Sequence, residues 1–401
     1  MTRTLHAPPE KFVAGSAIAL ASLLMASVLT VWIRERWSVS LFEAGIFALA
    51  GAWSVRMMLY PYAIRVVPAL VPLSGVVLIG LLQLMTGQTV SRWETWNALL
   101  EWSTYGMAFC LGLQIGFSPT VRATFRRAIF YFGFGISVIS ILQFFTAPGK
   151  IFWLFDSGYH NDVLGPFVNH DHYAAFIELL LPIALFEALA EPRRTLLATA
   201  AAGTMMASVI AGASRAGSFL VIAESALVIL LASRRGLPGV QRAFRFLVTF
   251  ALLFTAIVGV THLWQRFREA DLYRERGRML ISAAAMTCAR PWTGFGLGNF
   301  ENAYPRYAVF DNGTLVDHAH NDWAEWAAEG GLPFAGCLLL MAACAVRPAL
   351  RTIWGVGILS LFVHCFVDYP MQKPALALWV FVLLGAVMGR EGHNGCRSPA
   401  L

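Results

Sequence analysis

The sequence predicts an all-α, polytopic integral membrane protein. Three observations carry this. Of its 401 residues, 58% are hydrophobic and 13% charged, with a mean hydropathy of +0.62; a soluble domain usually carries about 25% charged residues. Apolar runs recur at lengths near the roughly 20 residues that cross the hydrocarbon as a helix. Runs such as 226–232 do not alternate polar and apolar residues, as strands of a membrane β-barrel must.

About twelve spans fit this length. They are expected near 12–33, 41–55, 66–85, 102–118, 128–146, 172–190, 195–212, 217–233, 246–262, 332–346, 352–367 and 374–389. The first follows Arg3 and Lys11, is long enough to span and shows no convincing cleavage site, so it reads as an anchor that stays. Arg122, Arg126, Arg127, Arg193, Arg194, Arg234, Arg235, Arg242, Arg245, Arg347 and Arg351 fall in alternate short loops. The positive-inside rule places those loops, and both termini with them, in the cytoplasm. The two longest polar segments, about 147–171 and 263–331, then face the periplasm of a bacterial inner membrane. The whole chain reads as one membrane domain with one large periplasmic loop.

The remaining composition excludes several classes. Cysteines at 110, 288, 337, 344, 365 and 396 show no CxxC spacing and suggest neither a disulfide framework nor a zinc site. The net charge of +7 suits anionic headgroups. Its spread over many short loops is not a nucleic-acid footprint. No internal repeat appears, and the tail after Arg390 reads as a disordered end.

Within the 263–331 loop, the stretch from Trp264 to about Cys288 reads as an amphipathic helix. Arg274 and Arg278 share a face and Arg276 is displaced from them. Pro291 ends this helix. Gly294, Gly296 and Gly298 follow as a tight, packed turn; their spacing is not a dinucleotide-binding fingerprint. Asp322 and Glu325 have capping-box spacing, with Asp322 at the N-cap. His320 then precedes a helix N-terminus, where anions are favoured. That helix should break at Gly330-Gly331. Glu325 and Glu329 read as solvated or capping residues.

His318-x-His320 beside carboxylates leaves several readings open. One is a metal site, although no third ligand follows at recognisable spacing. The others are bonds to loop carbonyls and the handling of a proton. Elsewhere, Ser214-Arg215 sits at the non-cytoplasmic junction of two spans, where an arginine snorkels or binds an anion. Asn169, His170 and His172 lie before a span on the same side and either line a shared cavity or cap the helix. His364 and Asp368 are four apart and read as a pair. Glu178 and Glu224 fall inside spans, where carboxylates demand partners.

These motifs occur in a familiar order: Arg278, then Pro291-x-x-Gly294-x-Gly296-x-Gly298-x-Phe300, then His318-Ala319-His320-Asn321-Asp322, then Glu329-Gly330-Gly331. Together they resemble the signature of the O-antigen ligase and O-antigen polymerase superfamily. The stretch Gly165–Ala174, Ser214-Arg215 and the stretch from His364 to Pro370 resemble family segments too, so the likeness covers roughly 160–390. The chain departs at Asp171, where the family segment usually has a second asparagine. It also lacks the tryptophan often found soon after the Arg278 position.

The resemblance implies a GT-C-like, all-helical glycosyltransferase at the periplasmic face, needing neither metal nor other cofactor. It implies transfer of a glycan from undecaprenyl diphosphate to an acceptor hydroxyl. In that reading His320 handles the acceptor proton with help from His318, because imidazole titrates in the right range. Arg215 and Arg278, with Arg290 in reserve, hold the diphosphate. Asn169, His170, His172, Asn321 and Asp322 support the site. A ligase using lipid A–core is the first expectation, and a polymerase extending lipid-linked repeats the second. A protein-glycosylating relative is the third; a transporter or flippase of lipid-linked sugars is the reading from a different class, and the gathering of polar groups at one face argues against it.

Overall fold

The computed structural model describes residues 8–33, 35–60, 62, 64–158, 163–258, 271–311, 313 and 315–391. The tail after 391 and the stretch 264–270 of the expected amphipathic helix lie outside the described residues. The described residues are 76% helical. In order the helices are α1 (Glu10–Leu29), α2 (Arg36–Leu59), α3 (Leu70–Thr86), α4 (Arg92–Phe117) and α5 (Pro119–Thr146). Then follow α6 (His170–Ala190), α7 (Thr195–Ala211), α8 (Arg215–Arg234), α9 (Val240–Val258), α10 (Asp271–Ala289) and α11 (Phe300–Ala303). The last are α12 (Asp322–Thr352), α13 (Val356–His364) and α14 (Pro374–Glu391). A two-stranded antiparallel hairpin, Lys150–Ile151 with Phe155–Asp156, breaks the all-helical pattern between α5 and α6.

Among the described residues, six helices are long and apolar enough to cross a membrane: α1, α2, α5, α6, α8 and α12. Three shorter apolar helices accompany them. This is a multi-pass membrane protein. The span expected at 352–367 is instead a helix of only 9 residues, α13. Its residues are apolar, but the helix stops at His364, where the side chain turns to a carboxylate on α6.

α6 is the central helix, buried along nearly its whole length against α5, α7, α8, α9 and α13. A second seam joins α4 to α14. Gly112 and Gly116 of α4 lie against the carbonyls of Val382 and Ala386. Reciprocally, Gly385 and Gly389 of α14 lie against those of Phe109 and Leu113. A methyl group at any of the four would overlap the facing carbonyl. Small residues four apart let helix backbones approach this closely, and packing rather than hydrophobicity then holds them in lipid.

The ends of the helices differ in chemistry. Arg126 pairs with Glu187 at the C-terminal end of α6 at 2.8 Å. Arg235, after α8, donates to the carbonyls of Leu350 and Arg351 in the last turn of α12, each at 2.7 Å. The opposite, N-terminal ends of α6, α8 and α12 meet around a cavity.

The glycine turn has a definite task. Gly294, Gly296 and Gly298 all take positive φ (62°, 101°, 70°), which glycine adopts without strain. The turn packs on the kink of α12 at Gly331 (φ 71°). Gly296 N donates to Glu329 O at 2.9 Å, and Leu332 N to Pro291 O at 2.7 Å. Gln83 of α3 ties both sides, donating to Thr293 O and Glu329 O and accepting from Leu297 N. Glu329 is buried, not solvated: its carboxylate accepts from Phe300 N at 2.8 Å and so caps α11.

Candidate functional site

The cavity has a volume of about 1190 Å³. That exceeds the roughly 300–1,000 Å³ of a typical small-molecule pocket. Asn169, His170, His172, Arg215, His318 and His320 all line it, so the structure brings together six of the residues singled out in the sequence. Asp171, Arg276, Asp317, Tyr369 and Lys373 line it as well.

α6, α8 and α12, whose N-terminal ends meet at the cavity, each begin with a side-chain cap. Asn169 accepts from Asp171 N at 2.7 Å, Ser214 from Gly217 N at 3.1 Å, and Asn321 from Ala324 N at 2.9 Å. The expected capping box is therefore displaced by one residue: Asn321, not Asp322, is the N-cap of α12. Asp322 is fully buried behind it and accepts from Met371 N at 3.0 Å. Three helix N-termini aimed at one space create a positive field there.

The two histidines belong to separate carboxylate pairs. His320 Nδ1 lies 3.2 Å from Asp368 Oδ1. His318 Nδ1 lies 2.8 Å from Glu325 Oε1, whose other oxygen accepts from Ala319 N at 2.7 Å. Glu325 is thus buried, not solvated, and clamps the loop. Tyr369 stands between the rings, stacked on His318 at 4.4 Å and edge-on to His320 at 4.7 Å. His320 has φ 50°, a region costly for a residue with a Cβ, and such strain often marks a functional position. Asp322 N donates to Cys365 O and Asp368 O, and Asn321 Nδ2 to Phe366 O. These bonds fasten the His320 loop to the Asp368 loop.

His364 was expected to pair with Asp368. It pairs instead with Glu178 of α6 at 2.8 Å, which frees Asp368 for His320 and places it 3.7 Å from His172 Nε2. Burial alone would raise the Asp368 carboxyl. The hydrogen bond from His320 and the neighbouring His172 and Arg276 outweigh it and hold the group below the ordinary carboxylate range. Burial and the Asp368 charge push the Tyr369 phenol the other way, well above its ordinary value.

The arginines separate. Arg215, the first residue of α8, lines the cavity. So does Arg276, the residue displaced from the Arg274–Arg278 face. It donates to Val367 O at 2.8 Å and to Asp171 Oδ2 at 3.3 Å. Arg278 instead stands over the Phe310 ring at 5.6 Å, and Arg290 over the Phe295 ring at 4.6 Å; neither is among the residues lining this cavity. Asp171, the departure from the family segment, accepts from Ser214 Oγ at 2.6 Å as well. One carboxylate thus binds α6, α8 and α10 together.

Residues 200–340 match the model of the O-antigen ligase family. The resemblance read from the motifs is borne out over this stretch, which runs from α7 through the glycine turn and the histidine loop into α12. The members of that family are glycosyltransferase-like enzymes. No curated protein matches the chain. The matched residues hold Arg215, Arg276, His318 and His320, while Asp171 and Asp368 lie outside them.

Proposed function

We propose that this protein is an inverting glycosyltransferase of GT-C-like fold with about twelve membrane crossings. It moves a glycan from undecaprenyl diphosphate to an acceptor hydroxyl at the periplasmic face of the inner membrane. The observation that carries the reading is one cavity in which the His320–Asp368 pair faces Arg215, Arg276 and three helix N-termini.

The chemistry follows from those groups. Asp368 holds His320 Nδ1, leaving Nε2 for the substrate, as an orienting carboxylate does for a general base. His320 takes the proton of the acceptor hydroxyl as its oxygen bonds to the anomeric carbon. The bond from that carbon to the phosphate oxygen breaks, and the lipid diphosphate leaves with the electron pair. Arg215, Arg276 and the helix N-termini stabilise the charge that develops on it. Attack opposite the leaving group inverts the centre. Arg276 takes the place first given to Arg278; Arg278 and Arg290 shape the periplasmic loop 263–331 from outside the cavity. His318, clamped by Glu325, orients rather than transfers. The proposed mechanism uses neither a metal ion nor a nucleotide sugar.

The periplasmic placement is supported by the arginines at the C-terminal ends of α6, α8 and α12, opposite the cavity. Transfer of finished O-antigen to lipid A–core is the favoured reaction, because the family model that matches is described as O-antigen ligase. Reconstitution with lipid-diphosphate glycan, with and without lipid A–core, tests it. Transfer that requires core supports the ligase, and a ladder of longer lipid-linked chains shows a polymerase. Sugar movement between leaflets without a new glycosidic bond would overturn the enzyme reading.

A further inference from the structure

The cavity extends beyond the histidines. Another wall carries Arg36 of α2, Glu94 and Glu101 of α4, and Lys373, whose Nζ lies 5.0 Å from the Tyr369 ring. A smaller pocket of about 70 Å³ adjoins it, sharing Glu101 and Lys373 and adding Glu43 and Tyr105. The residues contributed by α2 and α4 lie outside the family-matched stretch. Ionisable groups among membrane helices are costly unless they face a cavity and serve it.

The groups on this wall have unused bonding capacity. Arg36 Nη2 donates to both oxygens of Glu43, at 2.8 and 2.9 Å. Its Nε and Nη1 have no hydrogen-bond partner among the described residues. Glu101 accepts a long bond from the Tyr105 hydroxyl at 3.5 Å. A carboxylate has about four lone-pair positions, so most of its acceptor capacity remains.

The wall also differs in charge from the rest of the cavity. Around Arg215 and Arg276 the three helix N-termini favour an anion. Here two carboxylates, Glu94 and Glu101, stand with two cations, Arg36 and Lys373, so these charges balance; the carboxylate oxygens accept from hydroxyls and the Arg36 guanidinium donates to them. We propose that this wall is a sugar subsite that takes a neutral, polyhydroxylated residue of a glycan, with Glu101 and Arg36 determining which sugar fits. The proposal rests on the glycosyl-transfer reading. Two glycans share this chemistry: the acceptor, and the far end of the donor chain.

The test is steady-state transfer by the full-length protein in proteoliposomes, with donor and acceptor varied separately. Wild type is compared with Glu101→Gln and with Glu94→Gln, which leaves the Arg36–Glu43 pair untouched; thermal unfolding of each is measured alongside. The subsite predicts a rise in KM of about tenfold or more for one glycan, the loss of a charge-assisted hydrogen bond, with kcat within about twofold. A change in the acceptor KM assigns the wall to the acceptor, and a change in the donor KM to the donor's far end. Unchanged KM values for both glycans in folded variants, or a loss confined to kcat, would overturn the subsite while wild-type transfer still stood. A wild type that forms no glycosidic bond would remove the reading beneath it.

Discussion

Arg276 reaches Asp171 across the cavity wall, Nη2 to Oδ2 at 3.3 Å. The same carboxylate accepts from Ser214 Oγ, so one side chain joins the starts of α6 and α8 to α10. An arginine held this way is set in place before a phosphate arrives, which lowers the ordering cost of binding.

The first prediction separates the arginines. Arg276→Ala and Arg215→Ala raise the donor KM and lower kcat, together by at least about tenfold in kcat/KM, as expected for losing a charged contact to a phosphate. Arg278→Ala and Arg290→Ala, whose guanidinium groups lie over Phe310 and Phe295, change kcat/KM by less. Kinetics with a lipid-diphosphate donor measure all four, and a larger loss from Arg278→Ala would reverse the assignment.

Asp171→Asn tests the tie itself. Asparagine keeps an acceptor for Ser214 but loses the charge facing Arg276. Unfolding shifts by about 1 kcal/mol or less, while the donor KM rises. An unaltered KM would mean that Arg276 is held adequately by Val367 O alone.

The Asp368 carboxyl gives a pH signature. Its folded-state pKa is depressed, so its contribution to stability is complete above the unfolded value of about 3.9 and fades as pH falls through the folded one. The melting-temperature gap between wild type and Asp368→Asn therefore stays constant from about pH 8 to about pH 5 and narrows only in stronger acid. A gap that already changed between about pH 5 and about pH 8 would contradict this.

The α4–α14 seam is a matter of packing. Gly112→Ala forces a methyl group onto the Val382 carbonyl and destabilises the protein by about 1–3 kcal/mol. Gly51→Ala, with open space around its Cβ position, is close to neutral. Thermal unfolding in detergent compares the two.

Much of this arrangement is legible locally. The glycine turn, the break at Gly331 and the cap before α12 each follow from a few neighbouring residues, although the cap is Asn321 and not Asp322. The pairings across the molecule are not. Glu178 and His364 are 186 positions apart, and Arg276 and Asp171 are 105 apart. The i,i+4 spacing of His364 and Asp368 suggested a pair because both share a helix face. α13 ends at His364, however, so Asp368 sits on a turn that carries it to His320. Arg276 looked displaced because a helical wheel ranks residues against their own helix, not against the cavity that the helix meets.

The most direct measurement is glycan transfer by purified His320→Ala in proteoliposomes, beside wild type and with folding checked by thermal unfolding. A general base on the acceptor hydroxyl predicts a fall in kcat of about 10²–10⁴-fold with donor binding preserved. Full transfer activity in a folded His320→Ala protein would contradict it.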